Sequence, residues 1–206
     1  LFTLFLGTNL IAKDLDKRTI HVVLAKPVSR PEYLFGKFLG LSALIVTSMA
    51  VLGAMALASL ALADLVTPDI YGVVRWPLVI LAVVASTLML VLLASIACLF
   101  AAVTSNSFVT LGLTVLVYFI GQSIGEMRTF LQTGAEGAVV SRTIVWIVEV
   151  AYHVFPNLAL FDLKSQAAHG IHLDPGYLGW VVVYGAVYTA LMIGSAAWLF
   201  RKKEFT

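Results

Sequence analysis

The chain has 206 residues, of which 61% are hydrophobic and 12% charged, and its mean hydropathy is +0.99. Soluble domains carry about 25% charged residues, so this composition excludes an ordinary soluble enzyme or nucleic-acid-binding domain and marks an integral membrane protein. The net charge of +2 is uninformative as a sum, because in a membrane protein the placement of Lys and Arg sets topology.

In chain order, Leu1 to Ala12, LFTLFLGTNLIA, reads as the tail of a hydrophobic helix whose beginning is absent; with Leu rather than Met at position 1, this predicts a truncated N-terminus. A charged leading segment and a small-residue cleavage site are both lacking, which argues against a cleavable signal peptide. Residues 13–37, KDLDKRTIHVVLAKPVSRPEYLFGK, then gather six of the chain's 13 basic residues into one loop. Within it, the pattern predicts a short helix over Asp14 to Ala25: Asp14 and Asp16 suit its positive end and Pro27 stops it. On a helical wheel Leu15, Thr19, Val22 and Val23 share a face, while Asp14, Lys17, Arg18 and His21 spread over the rest. Helix restarts at PVSRPEYLFGKF, with Ser29 or Arg30 as cap, Pro31 in the first turn and Glu32 at the N-terminal dipole. Physically this is a rigid elbow joining a loop helix to a spanning helix. Two readings stand open: an amphipathic segment resting on anionic lipid headgroups, or a docking helix for a cytoplasmic partner.

A span needs about 20 apolar residues. Residues 38–63, 76–103 and 177–200 meet that length, and 108–125 is at its short end. TIVWIVEVAYHVF, within residues 142–155, is too short for a comfortable span and contains Glu149 and His153. The positive-inside rule places the loop at 13–37 and the basic tail at Arg201, Lys202 and Lys203 in the cytoplasm. The chain then exits through 38–63, re-enters through 76–103, exits through 108–125 and returns through 177–200. Residues 126–176 therefore begin and end on the outer side, so 142–155 either dips into the membrane and returns or forms a tight hairpin with a neighbour, and the dip is the expectation. Pro156-Asn157 supplies the break, and irregular backbone at that depth needs protein or water over it.

Among polar candidates, Glu149 and His153 are four residues apart and so share a helical face. They read either as a substrate- or proton-handling pair or as a partnered, water-facing pair in a re-entrant element. His169 and His172 are a weak metal signal against a solvated loop. Gly36-x-x-x-Gly40 and Gly121-x-x-x-Gly125 match small-residue helix contacts, the second pair lining a helix or dimer contact, and Cys98 reads as packing. HExxH, GxSxG and metal-spaced Cys/His sets are absent, and so is a phosphate loop: Gly36-Lys37 is followed by Phe38, and Pro31 stands where the first glycine is needed.

The run DLDKRTIHVVLAKPVSRPEYLFGKFLG resembles the first intracellular loop of ABC-2 type transporter permeases. The positions that carry the resemblance are Thr19, Leu24, Pro27, Ser29, Arg30, Tyr33, Gly36 and Lys37. It covers about a fifth of the chain, and the later order of spans, outer re-entrant region and basic tail agrees with it. Similar permeases have six spans, so Leu1–Ala12 would end the second. The resemblance implies an all-α polytopic membrane protein, a type V-like exporter bundle forming one transmembrane domain over 1–206, with a cytoplasmic coupling helix and an extracellular re-entrant segment. It also implies that the loop helix sits in a groove of a cytoplasmic ATP-binding subunit, through Asp14, Lys17, Arg18, Thr19, His21, Val22, Leu24, Pro27, Ser29 and Arg30. ATP and Mg would lie in that subunit, with no cofactor in this chain and no enzyme activity of its own. A second permease subunit, in a homodimer or heterodimer, would complete the pathway, walled by the spans beginning at Phe38 and Phe108. The expected setting is the inner or plasma membrane, in contact with lipid, with no nucleic-acid partner and with the C-terminus cytoplasmic. The alternatives are an ion- or proton-driven carrier or channel using Glu149 and His153, and an accessory membrane subunit that scaffolds a larger assembly.

Overall fold

The computed structural model describes residues 30–66, 76–104, 106–131, 141–164 and 175–202. They form five α-helices in chain order: α1 (Arg30–Val66), α2 (Trp76–Val103), α3 (Ser107–Thr129), α4 (Arg142–Val154) and α5 (Pro175–Lys202), with a 3-10 turn at Leu158–Phe161 between the last two. Among the described residues the fold is all-helical, and four helices, all but α4, are long and apolar enough to cross a membrane.

The apolar runs account for the helix bounds. α2 coincides with the stretch read from the sequence, because Pro77 fits a helix's first turn and polar residues bound the far end. α1 begins at Arg30, well before the apolar run at Phe38, since Pro31 and Glu32 suit a first turn; the helix then continues unbroken to Val66. Its 37 residues span about 55 Å at 1.5 Å per residue, against about 30 Å of hydrocarbon. Turns of α1 therefore extend beyond the bilayer core. α3 runs four residues past Gly125, to Thr129, carrying Arg128 in its last turn.

α2 is the centre of the bundle, packing against α1, α3, α5 and the 3-10 turn. Residues 92–98 are buried in succession, so the helix is covered on all sides at this level. The covering is close because Ala94, Cys98, Ala101 and Ala102 present little volume to Leu34, Leu41 and Ile45 of α1 and to Ile193 and Ala196 of α5. The Cys98 thiol is fully buried in this cluster, in the packing role expected of it. A second cluster joins Met89, Leu92, Leu93 and Ile96 of α2 to Val117, Val181, Leu158 and Phe161. Two buried hydroxyls of the bundle are satisfied within their own helices: Ser95 donates to Leu92 O (2.6 Å) and Thr114 to Thr110 O (2.8 Å). Asn106 caps α3 by accepting from Phe108 N–H at 2.9 Å, and Thr104 and Thr110 hydroxyls meet across the α2–α3 turn at 2.7 Å. Apolar side chains such as Leu39, Leu52, Met55 and Trp198 lie exposed on the bundle exterior, as lipid-facing positions do.

Candidate functional site

The site lies where α4 and the turn after it meet α3 and α5. α4 is amphipathic: Ile144, Ile147, Val150 and Val154 form an exposed apolar face, Val148 faces the bundle, and Arg142, Glu149 and His153 lie together on the polar side. Its 13 residues reach about 20 Å, too short to cross. The helix stops at Phe155, whose φ of −94° and ψ of 144° are extended; the ring of Pro156 disfavours helix at the residue before it. Beyond, Pro156, Asn157 and Leu158 are buried, and Phe161 is fully enclosed.

Non-helical backbone buried among apolar helices needs partners for its polar groups, and α5 provides them through three tyrosines. Tyr177 donates to Leu160 O at 3.0 Å, Tyr184 accepts from Asn157 N–H at 2.9 Å, and Tyr188 donates to Val154 O at 3.0 Å. The intervals of seven and four residues put the three phenols on one face of α5. Gly185 leaves room for the Phe161 ring, 3.1 Å from where a Cβ would stand. Tyr184→Phe leaves the Asn157 N–H without a partner in a partly buried position and is expected to cost about 1–3 kcal/mol. Tyr188→Phe frees an exposed carbonyl and should cost less; denaturant unfolding of the two variants in micelles checks the order.

On the α3 side the turn is seated on two glycines. A Cβ at Gly121 would stand 2.6 Å from Pro156 O and 2.7 Å from Leu158 Cγ, and one at Gly125 would stand 3.2 Å from Asn157 Oδ1. The glycine pair thus serves the irregular turn of the same chain, whereas the spacing suggested a helix or dimer contact. A Cβ at Gly36 or Gly40 would meet no heavy atom within 4 Å, so that pair makes no close helix contact among the described residues.

The polar end of the site is an ion pair across 21 residues of sequence. Arg128 Nε donates to Glu149 Oε2 at 3.2 Å and Nη2 to Oε1 at 3.0 Å, while the guanidinium lies 4.1 Å over the Tyr152 ring. His153 shares the face with Glu149, as its spacing predicts: Nδ1 is 2.8 Å from Glu149 O and 4.0 Å from Oε1. The sequence pattern pairs Glu149 with His153 and misses Arg128; the one local signal was an arginine in the last turn of the preceding helix. The arrangement ties α4 to the end of α3. Both partners are partly exposed, 31% and 45%, so a double-mutant cycle with Arg128→Gln and Glu149→Gln should give a coupling of about 1 kcal/mol or less. Between these elements lies a cleft of about 490 Å³, lined in part by Glu126, Arg128, Tyr152, Asn157 and Tyr177.

Of the loop residues expected to contact a partner, Asp14, Lys17, Arg18, Thr19, His21, Val22, Leu24, Pro27 and Ser29 lie outside the described residues, as do His169 and His172; Arg30 is the first residue of α1. Among the described residues no three His, Cys, Asp or Glu side chains come together as a metal site. In comparisons with known proteins, residues 1–205 match the model of a family described as ABC-2 family transporter protein. No curated protein matches the chain.

Proposed function

The chain belongs to the ABC-2 transporter family, and on that premise we propose that it couples ATP hydrolysis in a separate subunit to export of a substrate. At the coarser level the family makes it a multi-pass membrane permease subunit of an ABC transporter, with an ATP-binding partner. In the proposed mechanism, loop residues 13–29 and Arg30 seat in two ATP-binding subunits, one beneath each permease of a dimer. Nucleotide-driven closure of those subunits moves the bases of the paired α1 helices. Mg and ATP stay in the partner, and the loop and C-terminus face the cytoplasm.

The observation that carries this reading is the continuity of α1. The helix begins at Arg30, immediately after the loop, and runs 37 residues without a break, so a displacement at its base is transmitted as a rigid-body tilt rather than absorbed by a hinge. Leu34, Leu41 and Ile45 pack it on α2 and α5, which carries the motion into the bundle. The buried turn after α4 supports the re-entrant reading of residues 142–155, because its backbone is covered by protein and its polar groups are paired. Proton coupling through Glu149 is less well supported, since both carboxylate oxygens already accept from Arg128.

The test is the ATP hydrolysis rate of the candidate partner in vesicles, alone and with this chain. A rate altered by the chain is expected. A rate indifferent to the chain, together with solute flux that follows a proton gradient, would establish the carrier reading instead.

A further inference from the structure

The turn after α4 is bound unequally by its two neighbours. The phenols that pair with its backbone all belong to α5, from Tyr177 on Leu160 O to Tyr188 on Val154 O, and the Phe161 ring fills the notch at Gly185. Among the described residues, no hydrogen bond joins residues 156–161 to α3. On that side the turn rests by shape alone on the bare backbone of Gly121 and Gly125. The fit carries a cost: Asn157 Oδ1 is buried against Gly125 without a hydrogen-bond partner. An unpaired buried amide oxygen raises the energy of the closed contact. Separation of the turn from α3 would relieve it by admitting water from the adjoining cleft, which Gly125 and Asn157 line.

The Arg128–Glu149 pair ties α4 to α3 at the open end of this seam, and both partners are partly exposed, where such pairs are weak. The opposite end of α3 is held: Asn106 caps it, and the Thr104 and Thr110 hydroxyls meet at 2.7 Å. α5, in contrast, lies on α2 through both apolar clusters. A helix pinned at one end and lightly latched at the other can swing about the pinned end. We propose that α4 and the turn are carried on α5 as one body, and that the bundle opens along the seam between that body and the C-terminal half of α3. Arg128–Glu149 is the latch, and the turn before α3 is the hinge. Opening exposes Leu158, which faces Gly121, and leaves Phe161, which faces Gly185, enclosed. The inference concerns this chain alone, whatever drives the motion, and its test shares no readout with that of ATP coupling.

The experiment is the rate at which single cysteines react with a water-soluble maleimide in micelles, read by mass spectrometry. Leu158→Cys and Phe161→Cys are each placed in a Cys98→Ala background. Both positions are fully buried, but only the first lies on the seam, so Leu158→Cys is expected to react about tenfold faster or more, as local opening along one contact implies. Adding Arg128→Gln should speed Leu158→Cys by about two- to fivefold and leave Phe161→Cys unchanged. Because a cysteine at either position thins the core, the latch is also tested with the core intact. Arg128→Gln alone should leave amide exchange at Asn157, whose N–H is held by Tyr184, as slow as in the wild type, whereas Tyr184→Phe should speed it. Equal reaction at the two cysteines, a latch effect at both or at neither, or Asn157 exchange that follows Arg128 rather than Tyr184 overturns the proposal.

Discussion

Val22→Pro is expected to abolish capture of the ATP-binding subunit by the purified permease while leaving the permease inserted in the membrane. Val22 lies near the middle of the helix predicted over Asp14 to Ala25, on the face it shares with Leu15, Thr19 and Val23. A proline inside a helix removes a backbone hydrogen bond and clashes with the preceding turn, at about 3 kcal/mol or more, which is a factor of over ~100 in an association that requires the helix. Insertion should survive because four helices long and apolar enough to cross the membrane, counted among the described residues, lie downstream of Val22. Charge reversal at Asp14 or Arg30 should weaken capture more modestly, since exposed charge pairs contribute about 1 kcal/mol or less. Co-purification in detergent of wild type and variant with the candidate partner is the measurement. Undiminished capture by Val22→Pro would return the loop to the lipid surface as an anchor.

Gly121→Ala should be the most destabilising single-methyl change in the bundle. The added carbon would stand 2.6 Å from Pro156 O, a backbone atom, and 2.7 Å from Leu158 Cγ. Neither can yield easily: Leu158 is fully buried, and the adjacent Asn157 N–H is held by Tyr184. Overpacking of this kind costs about 1–3 kcal/mol. Gly125→Ala meets only the amide of Asn157, at 3.2 Å, and should cost less. Gly36→Ala meets nothing and should stabilise by about 0.5–1 kcal/mol through helix propensity. Thermal unfolding of the three variants in one detergent checks the ranking. A Gly121→Ala protein as stable as wild type would mean that the turn is not seated against α3 in this way.

Both predictions bear on what could be read before the fold was known. Helices were legible because their information is local. A run of apolar residues between polar turns places α2 at Trp76–Val103, and Pro31 with Glu32 marks where α1 starts. The Pro156-Asn157 break was visible for the same reason, as was the shared face of Glu149 and His153. What each group meets across the bundle was not legible. Arg128 and Glu149 are 21 residues apart, and Tyr188 reaches back 34 residues to Val154 O.

The sequence by itself determined that this is a membrane protein of helical spans with its basic residues gathered at 13–37 and at the C-terminal end, since hydropathy, charge placement and turn residues act over a few residues at a time. Only the tertiary structure decided that Gly121 and Gly125 seat a buried turn, that three tyrosines of α5 satisfy its backbone, and that Arg128 rather than His153 is the main partner of the Glu149 carboxylate. Those outcomes depend on the rotation and axial offset of one helix against another. Apolar side chains of similar size pack acceptably at many such settings, so the choice is made by the whole set of contacts and is written in no single segment.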